Sequence, residues 1–278
     1  MAIKPIKNTR AVSFLIFPVS PFKPSKSFNV TLLMSLALSL CVILYPSLSW
    51  SSLPTTDSDS LDKALNYEAS YHARIKGLSV KGIKTIKKTG DNRYQARWKA
   101  KALWLKIDEW SEFEMTGDVL IRPIKYHYQK KGFGKNERID LYFDWENQRL
   151  ISEIIKSKTI NKKQFSLTKG VQNKLTYQIQ MQLDLITNSL ADSLPEILSY
   201  KIASDRGLEE YFFTRENEAS GDRKLDKKKL TIFSRQKKSH SVEIYFDQDI
   251  LYIPRLIRQS KNDKTNNIHL GEWRLLIN

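Results

Sequence analysis

The chain has 278 residues, 41% of them apolar and 11% aromatic, enough to bury the core of one main domain. Its 46 Lys and Arg against 30 Asp and Glu leave a net charge of +16, which confines partners to acidic ones: nucleic acid, anionic lipid headgroups or acidic proteins. The lysines are scattered, with no Arg-rich helix or stacked aromatic motif of a nucleic-acid module, and Cys41 is the single cysteine.

Residues 30–45, VTLLMSLALSLCVILY, are an apolar run preceded by Lys4, Lys7, Arg10, Lys23 and Lys26 and by no acid. A positive start, an apolar middle and small residues at Ser47-Leu48-Ser49 make the three-part pattern of a secretory signal. The run is shorter than the roughly 20 residues a membrane span needs, but uncharged residues 46–53 extend it. Residues 1–50 are therefore read either as a cleaved signal peptide or as an uncleaved N-terminal anchor. In both cases residues 51–278 are sent across the membrane, and the expected location is periplasmic. Leu40 stands before Cys41 where a lipoprotein signal needs a small residue, so lipidation is not expected. Cleavage near residue 50 removes five basic residues, leaving 41 against 30 acids, a net +11, and no cysteine for disulfides, thiol catalysis or metal binding. An exported basic domain meets no genome. The expected partners are an anionic lipid or envelope polymer, or an envelope protein, and not nucleic acid.

Residues 51–65, rich in Ser, Thr and Asp, read as a polar linker, and residues 66–278 as a single β-rich domain. Tyr67, Ala69, Tyr71, Ala73 and Ile75 alternate with polar partners, as do Tyr94, Ala96, Trp98, Ala100 and Ala102. Further strands are predicted over 119–121, 124–128, 139–145, 150–155, 164–168, 197–203, 210–215, 230–234, 242–246, 256–259 and 268–276. Turn signals at Gly132-Phe133-Gly134, Asp205-Arg206-Gly207 and Ser220-Gly221-Asp222 separate several of them. One segment breaks the period: between residues 171 and 190, Leu175, Ile179, Leu183, Ile186 and Leu190 fall at helical spacing, with Asn173 as an N-cap. A lone amphipathic helix among about a dozen strands must lay its apolar stripe on the sheet. The predicted fold is mainly β: a strongly curved antiparallel sheet or open barrel with a helix packed on its concave side.

The stretches IDLYFD (139–144) and VEIYFD (242–247) share one pattern, and each is followed after a short gap by Arg-Leu-Ile. Alternate residues are apolar and the final Asp sits where a turn begins, where its side chain can bond the backbone two residues on. The pair reads as two hairpins, by duplication of a half-barrel or by convergence on strand grammar, rather than as a catalytic pair of Asp144 with Asp247.

Taken together, NYEASYHARIKGLSVKG (66–82), GDVLIRPIKYHYQKKG (117–132), Phe143-Asp144-Trp145, QNKLTYQIQMQLDL (172–185) and YIPRLI (252–257), in this order, resemble an exported bacterial envelope family catalogued as a domain of unknown function. The resemblance covers residues 66–276 and implies an exported β-rich domain, with no agreed activity and no catalytic residue to carry over. Family members often have Asp where this chain has Asn173, and Trp where it has Tyr245-Phe246.

Chemistry is sparse. His72, His127, His240 and His269 have no ligand spacing on one strand or helix face, and nucleophile elbows and phosphate-cradling loops are absent from the sequence. Asp108, Glu109, Glu112 and Glu114 are the carboxylates from which a glycan-acting pair would have to come, although a solvated acidic edge beside many lysines is the commoner explanation. No catalytic residue, metal or cofactor is assigned. Binding is better supported. Small Ala69, Ala73, Ala96, Ala100 and Ala102 interleave with Tyr67, Tyr71, Tyr94 and Trp98, leaving room that either the helix or a ligand fills. Residues 102–107, ALWLKI, are apolar on both faces of an expected strand and present Trp104. Tyr67, Tyr71, Tyr94, Trp98 and Trp104 are the candidate groove for an acyl chain or lipoprotein segment. The sequence thus points to a non-enzymatic exported binder or carrier of an amphipathic envelope component. Its alternatives are a scaffold pairing through a sheet edge and a glycan hydrolase.

Overall fold

The computed structural model describes residues 58–276, apart from residues 76, 133–135, 157–158, 192, 217–228 and 263. Residues 1–50, read above as a signal or anchor, Cys41, the first part of the expected linker and the turn signal at Ser220-Gly221-Asp222 lie outside the described residues, as do Phe133 and Gly134. The described chain belongs to one compact unit, Thr56–Asn278.

A short helix α1 (Ser58–Ala64) leads into β1 (Tyr67–Ile75), β2 (Leu78–Gly90), β3 (Arg93–Ala102), β4 (Leu105–Met115), β5 (Ile121–Lys131), β6 (Glu137–Asp144), β7 (Arg149–Lys156) and β8 (Thr159–Ser166). Helix α2 (Thr176–Leu190) follows, then β9 (Ile197–Ser204), β10 (Gly207–Glu216), β11 (Leu230–Lys237), β12 (His240–Asp247), β13 (Ile253–Lys261) and β14 (Lys264–Leu275). Among the described residues these fourteen strands form one antiparallel sheet in the order β8-β7-β6-β5-β4-β3-β2-β1-β14-β13-β12-β11-β10-β9. Each strand pairs with its neighbours in sequence and β1 with β14, so the order runs full circle except between β8 and β9. The sheet is mainly β in class, curved, and not closed.

Helix α2 shows how far the sheet curls. The Ile121 N–H of β5 donates to Gln180 Oε1 (2.7 Å), while Tyr200 of β9 donates through its hydroxyl to Asp184 Oδ2 (2.5 Å). β5 and β9 are ten strand intervals apart, roughly 48 Å in a flat sheet at about 4.8 Å per interval. Residues one helical turn apart reach both only because the sheet wraps round the helix. Tyr67 of β1 donates to Gln182 Oε1 (3.3 Å) from a third direction, and Asn173 Nδ2 to Ser111 Oγ of β4 (2.8 Å) from a fourth.

The predicted apolar stripe holds: Leu175, Ile179, Leu183 and Ile186 are buried, whereas Leu190 is exposed. The helix is buried on its other side too, through Tyr177, Met181, Leu185, Gln180 and Gln182. These glutamines are its fasteners to the sheet and its turns. Asn173 caps from three residues before Thr176, its Oδ1 accepting from the N–H groups of Leu175 (3.0 Å) and Thr176 (3.1 Å).

Four expectations are corrected. Ser58–Ala64, placed in an unfolded linker, is helical, because Leu61, Ala64 and Leu65 give it a buried apolar edge. The strands β2 and β4 were not recognised. β2 carries Gly82 and Lys84 among its inward residues and Ile83 outward; β4 carries Glu109 and Ser111 inward and Trp110 outward, so the apolar alternation is broken in both. Ala102 to Ile107 is not one strand: Leu103 (φ 51°) and Trp104 form the β3–β4 turn, with Ala102 paired to Leu105. Finally, Val119 (φ 57°) lies in the turn before β5 rather than in a strand.

The two matching hairpins share one device. Asp144 Oδ1 accepts from the Asn147 N–H (3.0 Å) and Oδ2 from Arg149 (3.0 Å), contacts that hold its carboxyl below the usual range, the Asn147 bonds foremost. Asp247 accepts from the Asp249 N–H (3.1 Å) and from Arg255. In each, the turn-starting Asp clasps the Arg of the following Arg-Leu-Ile. The two carboxylates lie on β6 and β12, far apart in the sheet order.

Candidate functional site

Antiparallel register sets the inner face of β1, β2 and β3 in rows. Tyr67, Ile86 and Ala96 form one; Ala69, Lys84 and Trp98 the next; Tyr71, Gly82 and Ala100 the third. Rings and small residues thus alternate across strands as well as along them. The Trp98 ring fills the space over Gly82 so closely that a Cβ at that position would collide with it. Tyr71 packs on Trp98 at 5.5 Å between ring centroids and 59° between planes, a tilted pair.

Three of the five predicted rings are buried and pinned. The Tyr67 hydroxyl bonds Gln182 of α2, Tyr71 donates to the Pro254 carbonyl (3.1 Å), and Tyr94 donates to Asp62 of α1 (3.4 Å) while stacking on Phe113 at 5.6 Å. Burial pushes the Tyr67, Tyr71 and Tyr94 hydroxyls up from their ordinary pKa. Trp98 is half-buried and marks where the face opens. Trp104, in the β3–β4 turn and 61% exposed, is not part of that face; the turn carries it away.

The sequence reading overlooked Lys84. It stands inward between Ala69 and Trp98, only 4% exposed, and its Nζ makes no hydrogen bond. The Tyr67 ring centroid lies 6.0 Å from Nζ. Burial lowers its pKa to about 8. The available signal was parity, since Lys84 falls on the same alternation as Val80 and Ile86.

A second inward charge is Glu109 of β4, 2% exposed, whose Oε1 accepts the Tyr126 hydroxyl at 2.5 Å. Burial raises it to about 7, against the opposing pull of the Tyr126 bond and the Lys174 charge. The other acids of the run point outward. Asp108 takes both Arg97 nitrogens (2.9 and 2.5 Å), and Glu114 lies between Arg93 (3.2 Å) and Arg122 (2.5 Å). One inward and three outward carboxyls on opposite faces of a sheet cannot flank one glycosidic bond.

His72 and His269, opposite each other on β1 and β14, stack at 5.7 Å, and His127 Nδ1 meets buried Asp140 at 2.7 Å on the outer face. Among the described residues no three His, Cys, Asp or Glu side chains form a metal-holding group. A recess of about 520 Å³ on the outer face, lined by Glu68, Ser70, Ile83, Glu272, Trp273 and Arg274, contains none of the predicted groove residues. Among the described residues no helix is long and apolar enough to cross a membrane.

No family model matches the chain, and no curated protein does. Among solved structures it is similar to a beta-barrel-like protein of the domain of unknown function DUF1849 from Brucella abortus, with a TM-score of 0.50 and 11% identity over 77% of this chain and 98% of that one. At that identity the likeness is one of fold: a β-rich, barrel-like domain.

Proposed function

We propose that this is an exported, non-enzymatic envelope protein that binds or carries an amphipathic component, a lipid or lipoprotein segment, within its open barrel. One observation carries the reading. The inner face of β1–β3 alternates aromatic rings with Gly and Ala, and of its rings Trp98 is half-buried where Tyr67, Tyr71 and Tyr94 are not exposed. Small residues beside a partly open ring give an acyl chain a surface to lie on. The net charge of +11 over residues 51–278 suits anionic membranes, and the leader-like N-terminus suits export.

Native mass spectrometry of the protein purified from membranes tests the reading. Masses carrying a lipid adduct are the expected result, and a clean apo mass overturns it. The scaffold reading has its own support: β8 ends the sheet with seven of its eight residues exposed, an open edge that another strand can extend. An apo mass together with a stable partner lost on placing Pro at Lys163 favours that reading instead.

A further inference from the structure

We propose that Lys84 is the anion anchor of a ligand site inside the barrel, and that the ligand is a single-chain amphiphile with one carboxylate, of the fatty-acid class. The inference deepens the carrier reading and rests on it.

Three observations converge. Lys84 Nζ is aimed inward, 4% exposed, and has no hydrogen-bond partner. A buried ammonium without an anion is among the most expensive arrangements a protein interior can hold, and a Met of similar length would fill the space without that cost. An anionic ligand supplies the missing partner. Second, Lys84 is the one buried charged residue among the inward positions of β1–β3; Lys88, paired with Tyr94 on the same alternation, is exposed. A single point charge matches a carboxylate, whereas phosphate sites gather several donors, commonly with Arg. Third, Lys84 is flanked by Ala69 and Trp98, and the next row offers Gly82 and Ala100. The Trp98 ring covers Gly82 and is the half-buried member of the wall. Rotation of that ring uncovers a smooth floor for the chain, with the carboxylate held at the Lys84 end and the tail leaving past Trp98.

Fluorescence titration of the full-length protein with cis-parinaric acid, an 18-carbon polyene carboxylate, and with the alcohol of the same chain tests this directly. Wild type is expected to prefer the acid by about tenfold or more, the worth of one hydrogen bond to a charged group. In Lys84→Met the preference collapses to near unity, and in Lys84→Arg it survives. Raising the pH from 7 to 10 erodes the wild-type preference, because the ammonium is lost, and leaves the ratio for Lys84→Met flat. An unchanged preference in Lys84→Met, with both probes still bound, overturns the anchor and leaves the carrier reading intact. No binding of either probe to wild type overturns the carrier reading itself. Displacement of the bound acid by hexadecyl phosphate in preference to hexadecanoate overturns the carboxylate assignment. A circular-dichroism melt of each variant shows that the ratios are measured on folded protein.

Discussion

Two inward charges, Glu109 and Lys84, are each held away from their ordinary protonation range by burial, and in opposite senses. The consequences for stability have opposite signs. Between pH 4.5 and about 7 the folded chain keeps a proton on Glu109 that the unfolded chain has lost, so this group's contribution falls as pH rises through that window. The shift corresponds to on the order of 3 kcal/mol. Glu109→Gln retains an acceptor for the Tyr126 hydroxyl and removes the titration. Urea denaturation at pH 4.5 and pH 8 is expected to show Gln gaining on wild type by that order. For Lys84 the unfolded chain binds the extra proton, between about pH 8 and 10.5, so stability rises with pH across that range. Lys84→Met is expected to be more stable than wild type at pH 7 by up to on the order of 3 kcal/mol, with the advantage shrinking by pH 10.5. A destabilised Met variant at pH 7 would mean that the ammonium has a partner in the free protein.

At the scale of elements, α2 depends on polar anchors as much as on its apolar stripe. Asn173 accepts two backbone N–H groups and donates to Ser111, all in a buried setting. Asn173→Ala is expected to cost about 2 kcal/mol, from the lost cap and the orphaned groups together, whereas Asn173→Asp keeps both accepted bonds and costs less. The midpoint of urea unfolding for the three proteins checks the order. These anchors also show what the sequence could and could not reveal. Strands with clean alternation, such as β1 and β3, were legible, and so was the helix from Leu175, Ile179, Leu183 and Ile186. β2 and β4 were not, because each turns polar or small residues inward: Lys84 and Gly82 in one, Glu109 and Ser111 in the other. The positions that hid these strands are the ones that give the interior its chemistry. Trp104 failed for a different reason, since apolar residues at an exposed two-residue turn look the same in sequence as a strand buried on both faces. The roles of Gln180 and Gln182 were not legible, because a buried amide is revealed only by its partners, here Val119, Ile121 and Leu251.

For the whole molecule, the first and last strands, β1 and β14, meet in the middle of the sheet order. The two halves, β8 to β1 and β14 to β9, join only when residues about 200 apart in sequence pair, as in Tyr67 with Leu275. Closing so long a loop makes folding slow, because its entropy is lost before the seam's bonds form. The start of β1 and the end of β14 are already adjacent: the Leu276 N–H donates to the Asn66 carbonyl (2.9 Å), and Asn66 Nδ2 donates to the Leu276 carbonyl (2.6 Å). A circular permutant that keeps α1, joins Leu276 to Ser58 through a Gly/Ser linker and opens the chain between Lys169 and Gly170 makes the pairing of β14 with β1 local in sequence. Lys169 is 84% exposed, and Gly170 has open space around it, so the new ends disturb little. The permutant moves the long-range closure to the β8–α2–β9 side, where no strand ladder has to form. Stopped-flow refolding from urea is expected to show it folding faster than the native order by at least an order of magnitude, with similar equilibrium stability. Equal rates would place the limiting step in the wrapping of the sheet round α2 instead. A chain ending after Asn262 has no β14 to bridge the halves and is expected to yield no soluble folded protein, which expression and a proteolysis time course would reveal.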